Sequence, residues 1–493
     1  MWGSAGETGP QTAGGGARRA PHGSEHPTAR SHGARPSARA EAGSDSGAVP
    51  GNRDVDWTFV AALRAQASAR LTSALQDRDG LDTAGQRELG RTVILELLEA
   101  AAEADLAAGR PTWTLPQQQR LAEAVFDALF GLGRLQPLVD DPHVENIEIT
   151  GCDSVVLEYD DGTLRPGPPV ADSDAELLDF LAFLASRSEA NARPFSEAQP
   201  RLHLRLDGGA RLAATAWVTP RPAVVIRRHR LREVTLADLV GRDMLSPVAA
   251  SLLAAAVRAK RSIVVAGPQG AGKTTVVRAL CAELDPWERI GTFETEYELH
   301  LHELPDRHRR VVAWEARPGS GERGLDGRPA GEITLDELLY DSFRFNLSRQ
   351  IVGEVRGREV LAMLKAMQSG AGSLSTTHAA TAVGAIRKLV TCALEAGPHV
   401  TEAYAQRAVA EHIDLVVQLA LDVTPRADGG VQRVRRVSEI VAVEPGEQGN
   451  VATTHVFRAH DDRPAAPGVL PDSYRDLARH GFDLDAYLTE ARR

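Results

Sequence analysis

Apolar positions recur every three to four residues along the first patterned stretch of the chain. Leu121, Val125, Ala128 and Leu132 follow Pro116, a residue suited to the first turn of a helix, and Val93, Leu95, Leu97 and Leu98 supply a second apolar face. This period predicts a small helical region over residues 55–135. Beyond it the period shortens towards two. Ile147-Glu148-Ile149, Val155-Val156-Leu157, Leu202-His203-Leu204-Arg205-Leu206 and Val224-Val225-Ile226 read as strands. Turn signals separate them at Asp160-Asp161-Gly162, Asp207-Gly208-Gly209 and Thr219-Pro220-Arg221-Pro222. A helix over 175–186 interrupts the strands, so 136–232 is expected to form an α+β domain. From 236 to 450, apolar strand runs alternate with helices, as a parallel sheet of the α/β class requires. Residues 451–493 follow as a C-terminal extension. Residues 1–54 come mostly from Gly, Ala, Ser, Pro, His and Arg, and a disordered tail is expected there.

Composition narrows the function classes. With 493 residues there is room for about three folding units. Hydrophobic residues at 43% and charged residues at 25% exclude a chain disordered throughout, a collagen and a coiled-coil rod. A net charge of -11 argues against a protein that coats nucleic acid, so nucleic acid is not expected as the main partner. Cys152, Cys281 and Cys392 are far apart and form no CxxC pair, which points away from a disulfide framework or a cysteine zinc site and towards a reducing cytoplasm. No histidine pair is read at a ligand spacing beside another donor, and no histidine metal site is expected. No apolar run approaches the roughly 18 residues of a membrane span. Membrane contact is therefore expected only through a partner.

One segment carries explicit chemistry. The apolar run 262–266 leads into Gly267-Pro268-Gln269-Gly270-Ala271-Gly272-Lys273-Thr274, which fits GxxxxGK[ST] at every position, and a helix follows from Thr275. In such a P-loop, glycines let backbone amides turn towards phosphate oxygens at the positive end of a helix. Lys273 is expected to reach the β- and γ-phosphates of ATP, and the Thr274 hydroxyl to ligate Mg²⁺. A second strand, Gln350-Ile351-Val352-Gly353, leads to Glu354, placed to hold Mg²⁺ through water or to orient the attacking water. The same carboxylate also fits an N-cap for the next helix.

Two further segments make the P-loop specific: Arg289-Ile290-Gly291-Thr292-Phe293-Glu294-Thr295-Glu296-Tyr297-Glu298-Leu299, and Gly372-Ser373-Leu374-Ser375-Thr376-Thr377-His378-Ala379. In order and spacing they resemble the Asp box and His box of the type II/IV secretion ATPases, and the branch they look most like is the CpaF-type ATPases of tight-adherence pili. Phe130-Gly131-Leu132-Gly133-Arg134-Leu135, Leu206-Asp207-Gly208-Gly209-Ala210-Arg211 and Ile413-Asp414-Leu415-Val416-Val417-Gln418-Leu419 continue the likeness. The resemblance implies a RecA-like ATPase domain behind an α+β N-terminal domain. It also implies a homohexamer, and a membrane-embedded platform protein of a pilus or secretion machine as partner. It makes Glu298 the Asp-box glutamate, Glu354 the Walker B glutamate and His378 the His-box histidine. It makes Arg317 and Arg344 phosphate-contacting arginines within or across subunits, and Arg227 an N-terminal-domain arginine at the nucleotide. Each has a plainer reading: a loop carboxylate, a hydrogen-bonded structural histidine, an exposed arginine. Thr295, Asn346 and Ser348 depart from the family pattern. A nucleic-acid translocase on the same core and a nucleotide-binding scaffold with little turnover stay open as rivals.

Overall fold

The computed structural model describes residues 55–76, 81–187, 195–228, 233–317, 319, 324, 327–427, 430–460 and 463–492. The expected tail, 1–54, lies outside them. Three helices come first: α1 (Trp57–Gln76), α2 (Thr83–Ala107) and α3 (Leu115–Phe130). They close on Val60, Leu63, Val93, Ile94, Leu97, Leu98, Leu121 and Val125. The buried line of α2 advances through Gly90, Val93, Ile94, Leu97 and Leu98. Leu95 falls outside that line and is 53% exposed, so the apolar face expected to include it does not. Asp82 starts the helix by accepting the Gly85 amide at 2.8 Å.

A short helix, α4 (Gln136–Asp140), leads into β1 (Val144–Thr150), β2 (Ser154–Tyr159), β3 (Leu164–Pro166), α5 (Asp174–Arg187), β4 (Arg201–Arg205), β5 (Arg211–Thr215) and β6 (Ala223–Arg227). The strands form an antiparallel sheet ordered β3-β2-β1-β6-β5-β4. Alternate residues, among them Ile147, Ile149, Val155, Leu157, Leu202, Val224 and Ile226, share one core with Leu177 and Leu181 of α5. The hydrophobic pattern misses β5 because Leu212 is its only large apolar residue.

The larger sheet uses α6 (Leu236–Gly241), α7 (Pro247–Arg258), β7 (Ile263–Ala266), α8 (Lys273–Cys281), β8 (Arg289–Glu294), β9 (Arg310–Glu315), α9 (Leu335–Ser342), β10 (Arg349–Val355), α10 (Val360–Gln368), β11 (Ser373–Thr377), α11 (Ala382–Leu394), α12 (Glu402–His412), β12 (Leu415–Pro425), β13 (Val431–Pro445), β14 (Val451–Arg458), β15 (Ala466–Pro467) and α13 (Leu484–Glu490). Its order is β15-β14-β13-β12-β7-β11-β10-β8-β9. The strands from β12 to β9 run parallel, and β13, β14 and β15 add an antiparallel flank. Ile263 and Val265 of β7 join the core shared with α7 and α8, while Val264 and Ala266 join the core shared with α10, α11 and α12. With both faces covered, the strand reads as an unbroken apolar run.

Two features of this sheet matter later. The β12 strand pairs with β7 only from Leu415 to Gln418, so its far half continues with β13 as a two-stranded hairpin. At the opposite end, Asp414 accepts the Ser262 amide at 2.7 Å and pairs with Arg261 at 2.8 Å, and the Tyr474 hydroxyl donates to the Asp414 carbonyl at 2.6 Å. Among the described residues no helix is long and apolar enough to cross a membrane.

Asp127 on α3 is a point of strain. Burial, reinforced by Asp140 and Glu123, pushes its carboxyl up to about 7 from an ordinary 3.8. With the folded value raised, the neutral acid supports the fold fully below about pH 4, and that support is lost as pH rises through about 7. Asp127→Asn is expected to stabilise the chain by about 2 kcal/mol at pH 8, after allowing for solvent screening of a half-buried group, and to gain nothing near pH 4. Urea unfolding at the two pH values checks this; an equal gain at both would show that ionisation of Asp127 is not the cause.

Candidate active site

The P-loop joins the end of β7 to the first residue of α8. Gly270 and Gly272 take φ of +79° and +87°, backbone that a side chain would strain. Lys273 is only 8% exposed. Its ammonium donates to the carbonyls of Gly267 at 3.2 Å and Pro268 at 2.9 Å, and lies 3.1 Å from Nδ1 of His378. Burial pulls Lys273 down to about 8, against the opposing pull of Glu354 and Glu298.

Carboxylates stand on two sides of this ammonium. Thr274 Oγ1 donates to Glu298 Oε2 at 2.8 Å, and Arg211 Nη1 donates to Glu298 Oε1 at 2.6 Å. Arg211 also reaches the Tyr297 carbonyl, and Arg278 reaches the Glu298 carbonyl. Glu294, at the end of β8, is 2% exposed, and its Oε1 accepts the Glu298 and Leu299 amides, each at 2.9 Å. Burial raises its carboxyl to about 7. A Cβ at Gly353 would come within 2.9 Å of Glu294 Cγ, so glycine makes room for that buried acid.

Glu354 sits in β10 where the ladder to β11 is irregular, between Val352 and Val355. Its Oε2 takes the Arg356 guanidinium at 2.6 Å. Its Oε1 is 2.7 Å from His378 Nε2, a close contact not aligned as a hydrogen bond. His378 thus stands between Lys273 and Glu354, and burial, then Lys273, hold it below its ordinary value. The Ser/Thr run before it has a definite job. Ser373, Thr376 and Thr377 donate their hydroxyls to the Gln350, Gly353 and Val355 carbonyls, at 2.7, 2.7 and 3.0 Å, and so hold β10 beside the irregular step.

Lys273, Thr274, Glu298, Glu354 and His378 are therefore brought together. Arg227 ends β6 directly across the ladder from Arg211, and its charge bears on Lys273. Arg317 and Arg344 make other contacts within this chain. Arg317 Nε donates to the Gly331 carbonyl at 2.6 Å, and Arg344 lies 3.8 Å from Asp341 and over the Tyr340 ring. The residues missed by motif reading are arginines: Arg356, two positions after Glu354, Arg278 on α8, and two that arrive through space, Arg211 and Arg435, whose Nε donates to the Gly270 carbonyl at 2.8 Å. The one available signal was Arg211, which closes the glycine turn before β5.

The donor set fits a magnesium nucleotide: an ammonium, loop amides at a helix start, a hydroxyl and two carboxylates. Glu354 Oε1 and Glu294 Oε2 are buried without a hydrogen-bond donor, as groups awaiting a cation or a water would be. The expectation of no histidine cluster needs correction. His300, His302 and Glu303 place three potential ligand atoms within 4.8 Å of one another. The Arg205 guanidinium, 3.4 Å from the His300 nitrogen that meets Glu303 at 2.8 Å, already supplies positive charge there.

The two departures nearest the Walker B strand have local explanations. Ser348 Oγ accepts the Arg289 amide at 2.8 Å and donates to the Arg289 carbonyl at 3.3 Å, a pair of bonds that a carboxylate could not make. Asn346 takes φ of +54°, a backbone state asparagine tolerates well.

Comparison with known proteins finds relatives in secretion and conjugation systems. A protein of Mycobacterium tuberculosis, provisionally named a conjugal transfer protein, is 30% identical over 365 residues, 71% of this chain and 95% of that protein. The type IV secretion system protein PtlH of Bordetella pertussis is 31% identical over 259 residues, 47% of this chain and 72% of PtlH. Among solved structures, the VirB11 ATPase of the Brucella suis type IV secretion system, in complex with sulphate, aligns at 24% identity with a TM-score of 0.31, over 65% of this chain and 95% of that one. The family described as type II/IV secretion system protein matches residues 140–456. That match runs from the end of α4 into β14 and takes in the smaller sheet, the P-loop and the larger sheet short of β15, so the chain belongs to the type II/IV secretion system protein family.

Proposed function

We propose that this chain is an ATP-hydrolysing motor of a secretion or pilus machine, of the CpaF-type branch, working as a homohexamer. In this reading it is a cytoplasmic protein, held at the membrane through a platform protein. The observation that carries the reading is the chain of contacts Thr274–Glu298 and Lys273–His378–Glu354 around one P-loop. Loop amides from Gly267 to Thr275, Pro268 having none to offer, and the Lys273 ammonium bind the phosphates. Thr274, and Glu354 through water, hold Mg²⁺, which when bound neutralises charge between the β- and γ-phosphates. Glu354 Oε1, with Glu298 as the alternative, orients the attacking water and takes its proton as the bond to the γ-phosphorus forms and the β–γ bridging bond breaks. His378 reports the protonation and charge of that carboxylate to Lys273. Arg317 and Arg344, exposed on this chain, are suited to reach phosphate across a subunit boundary, and Arg227 to reach it from the N-terminal sheet.

Steady-state ATP hydrolysis by size-fractionated protein tests this. Wild type is expected to turn over ATP in a hexamer-sized fraction, with chelation of Mg²⁺ stopping it. Lys273→Ala and Glu354→Gln should each lower kcat at least about a hundredfold. ATP binding without turnover in every fraction would favour the scaffold, and DNA stimulation with a steep salt dependence would favour a translocase.

Arg211 gives a second test, because it brings the N-terminal sheet onto Glu298. Arg211→Ala should lower kcat/KM for ATP about tenfold or more. A value within about twofold of wild type would remove Arg211 from the machinery.

A further inference from the structure

The hairpin formed by the far halves of β12 and β13 lies against the turn between β2 and β3. The Arg433 amide donates to the Gly162 carbonyl at 2.8 Å, and Thr163 bridges to Gln432. Gly162, at φ +80°, is so close that a Cβ there would stand 2.2 Å from the Arg433 carbonyl oxygen. Below this backbone contact lies Glu158, a β2 carboxylate only 1% exposed. Asn146 donates to it at 2.7 Å, Arg433 pairs with its Oε2, and Arg435 Nη2 pairs with its Oε1 at 2.7 Å. Arg435 Nη1 also lies 3.3 Å from Glu145 on β1. The third nitrogen of the same guanidinium, Nε, holds the Gly270 carbonyl of the P-loop.

One planar group therefore spans a buried carboxylate of the N-terminal sheet and a backbone carbonyl of the phosphate-binding loop. The fork geometry is what permits this, since each nitrogen serves a different partner. A P-loop presents amides to phosphate only while its carbonyls point away, and Gly270, at positive φ, is free to turn its peptide over. We infer that Arg435 is a positioning residue: it pins the Gly270 peptide in the phosphate-binding orientation and carries the state of the P-loop to the N-terminal sheet through Glu158. This rests on the proposed nucleotide site. Arg433 is the internal control, because it holds Glu158 and the hairpin without touching the loop.

Hydrogen exchange read by mass spectrometry on the full chain tests it, with and without a non-hydrolysable ATP analogue and Mg²⁺. Without nucleotide, Arg435→Ala should speed exchange across 267–274 about fivefold or more, while Arg433→Ala leaves it near wild type. With the analogue, wild type should show protection of 267–274 and an altered exchange over 144–159. Arg435→Ala should bind the analogue about tenfold more weakly, keep the first response at saturation and lose the second. Glu158→Gln should lose the second response too. Arg435→Lys, which keeps the charge but cannot span both partners, should behave like Arg435→Ala, and an unchanged thermal unfolding midpoint in both excludes misfolding as the cause. Unchanged P-loop exchange in Arg435→Ala, a persisting response over 144–159, or its equal loss in Arg433→Ala would each overturn the assignment. If wild type binds no analogue, the nucleotide reading falls, while the nucleotide-free comparison still decides the role of Arg435.

Discussion

A buried ammonium organises this molecule. Taking the Lys273 charge out of water is unfavourable unless negative potential surrounds it, and the surroundings supply it in layers. Two loop carbonyls lie on the ammonium, His378 lies beside it, and Glu354 and Glu298 act at longer range. Each layer comes from a different element: the loop itself, the end of β11, β10 and the segment after β8. The parallel order of β7, β11, β10 and β8 is what delivers those strand ends to one place.

The carboxylates are then sorted by their surroundings. Glu294 is buried deeply enough to raise its carboxyl to about 7, and it spends one oxygen on the turn that carries Glu298. Glu298 and Glu354 are instead flanked by guanidinium groups, Arg211 on one side and Arg356 on the other. One acid shapes the loop, and two lie against guanidinium groups beside the phosphate-binding residues. The division follows from burial and arginine placement alone.

What could be read in the sequence was whatever is contiguous. The P-loop, the strand before it and the Asp and His boxes are local patterns, and Lys273, Thr274, Glu298, Glu354 and His378 come together as those patterns imply. The fold class was legible for the same reason, because a strand covered on both faces leaves an unbroken apolar run. Arg211 and Arg435 were not legible. Arg435 stands between Arg433 and Arg436 and Arg211 follows a glycine turn, and the meaning of each depends on a partner supplied by another sheet. Leu95 shows the same limit in the helices, where period alone could not say which of the neighbours Ile94 and Leu95 faces inward. The His300, His302 and Glu303 group was hidden by a turn that folds near neighbours together. Ser348 and Asn346, which look like losses against the family pattern, fill local backbone needs that only the turn before β10 makes visible.

The anchoring of β7 also bears on how the chain comes to be folded. The strand that carries the P-loop needs β11 and β12 on its flanks, and its first residues are tied to Asp414, which lies 153 positions beyond Arg261. Tyr474 then grips the carbonyl of that same aspartate. Contacts so distant along the chain make loop closure slow and favour late completion of the sheet during synthesis. A ribosome must release most of the polypeptide before the phosphate-binding loop acquires its shape. The nucleotide pocket is thus among the last parts of the molecule to mature, and a half-made chain has no formed loop with which to engage ATP.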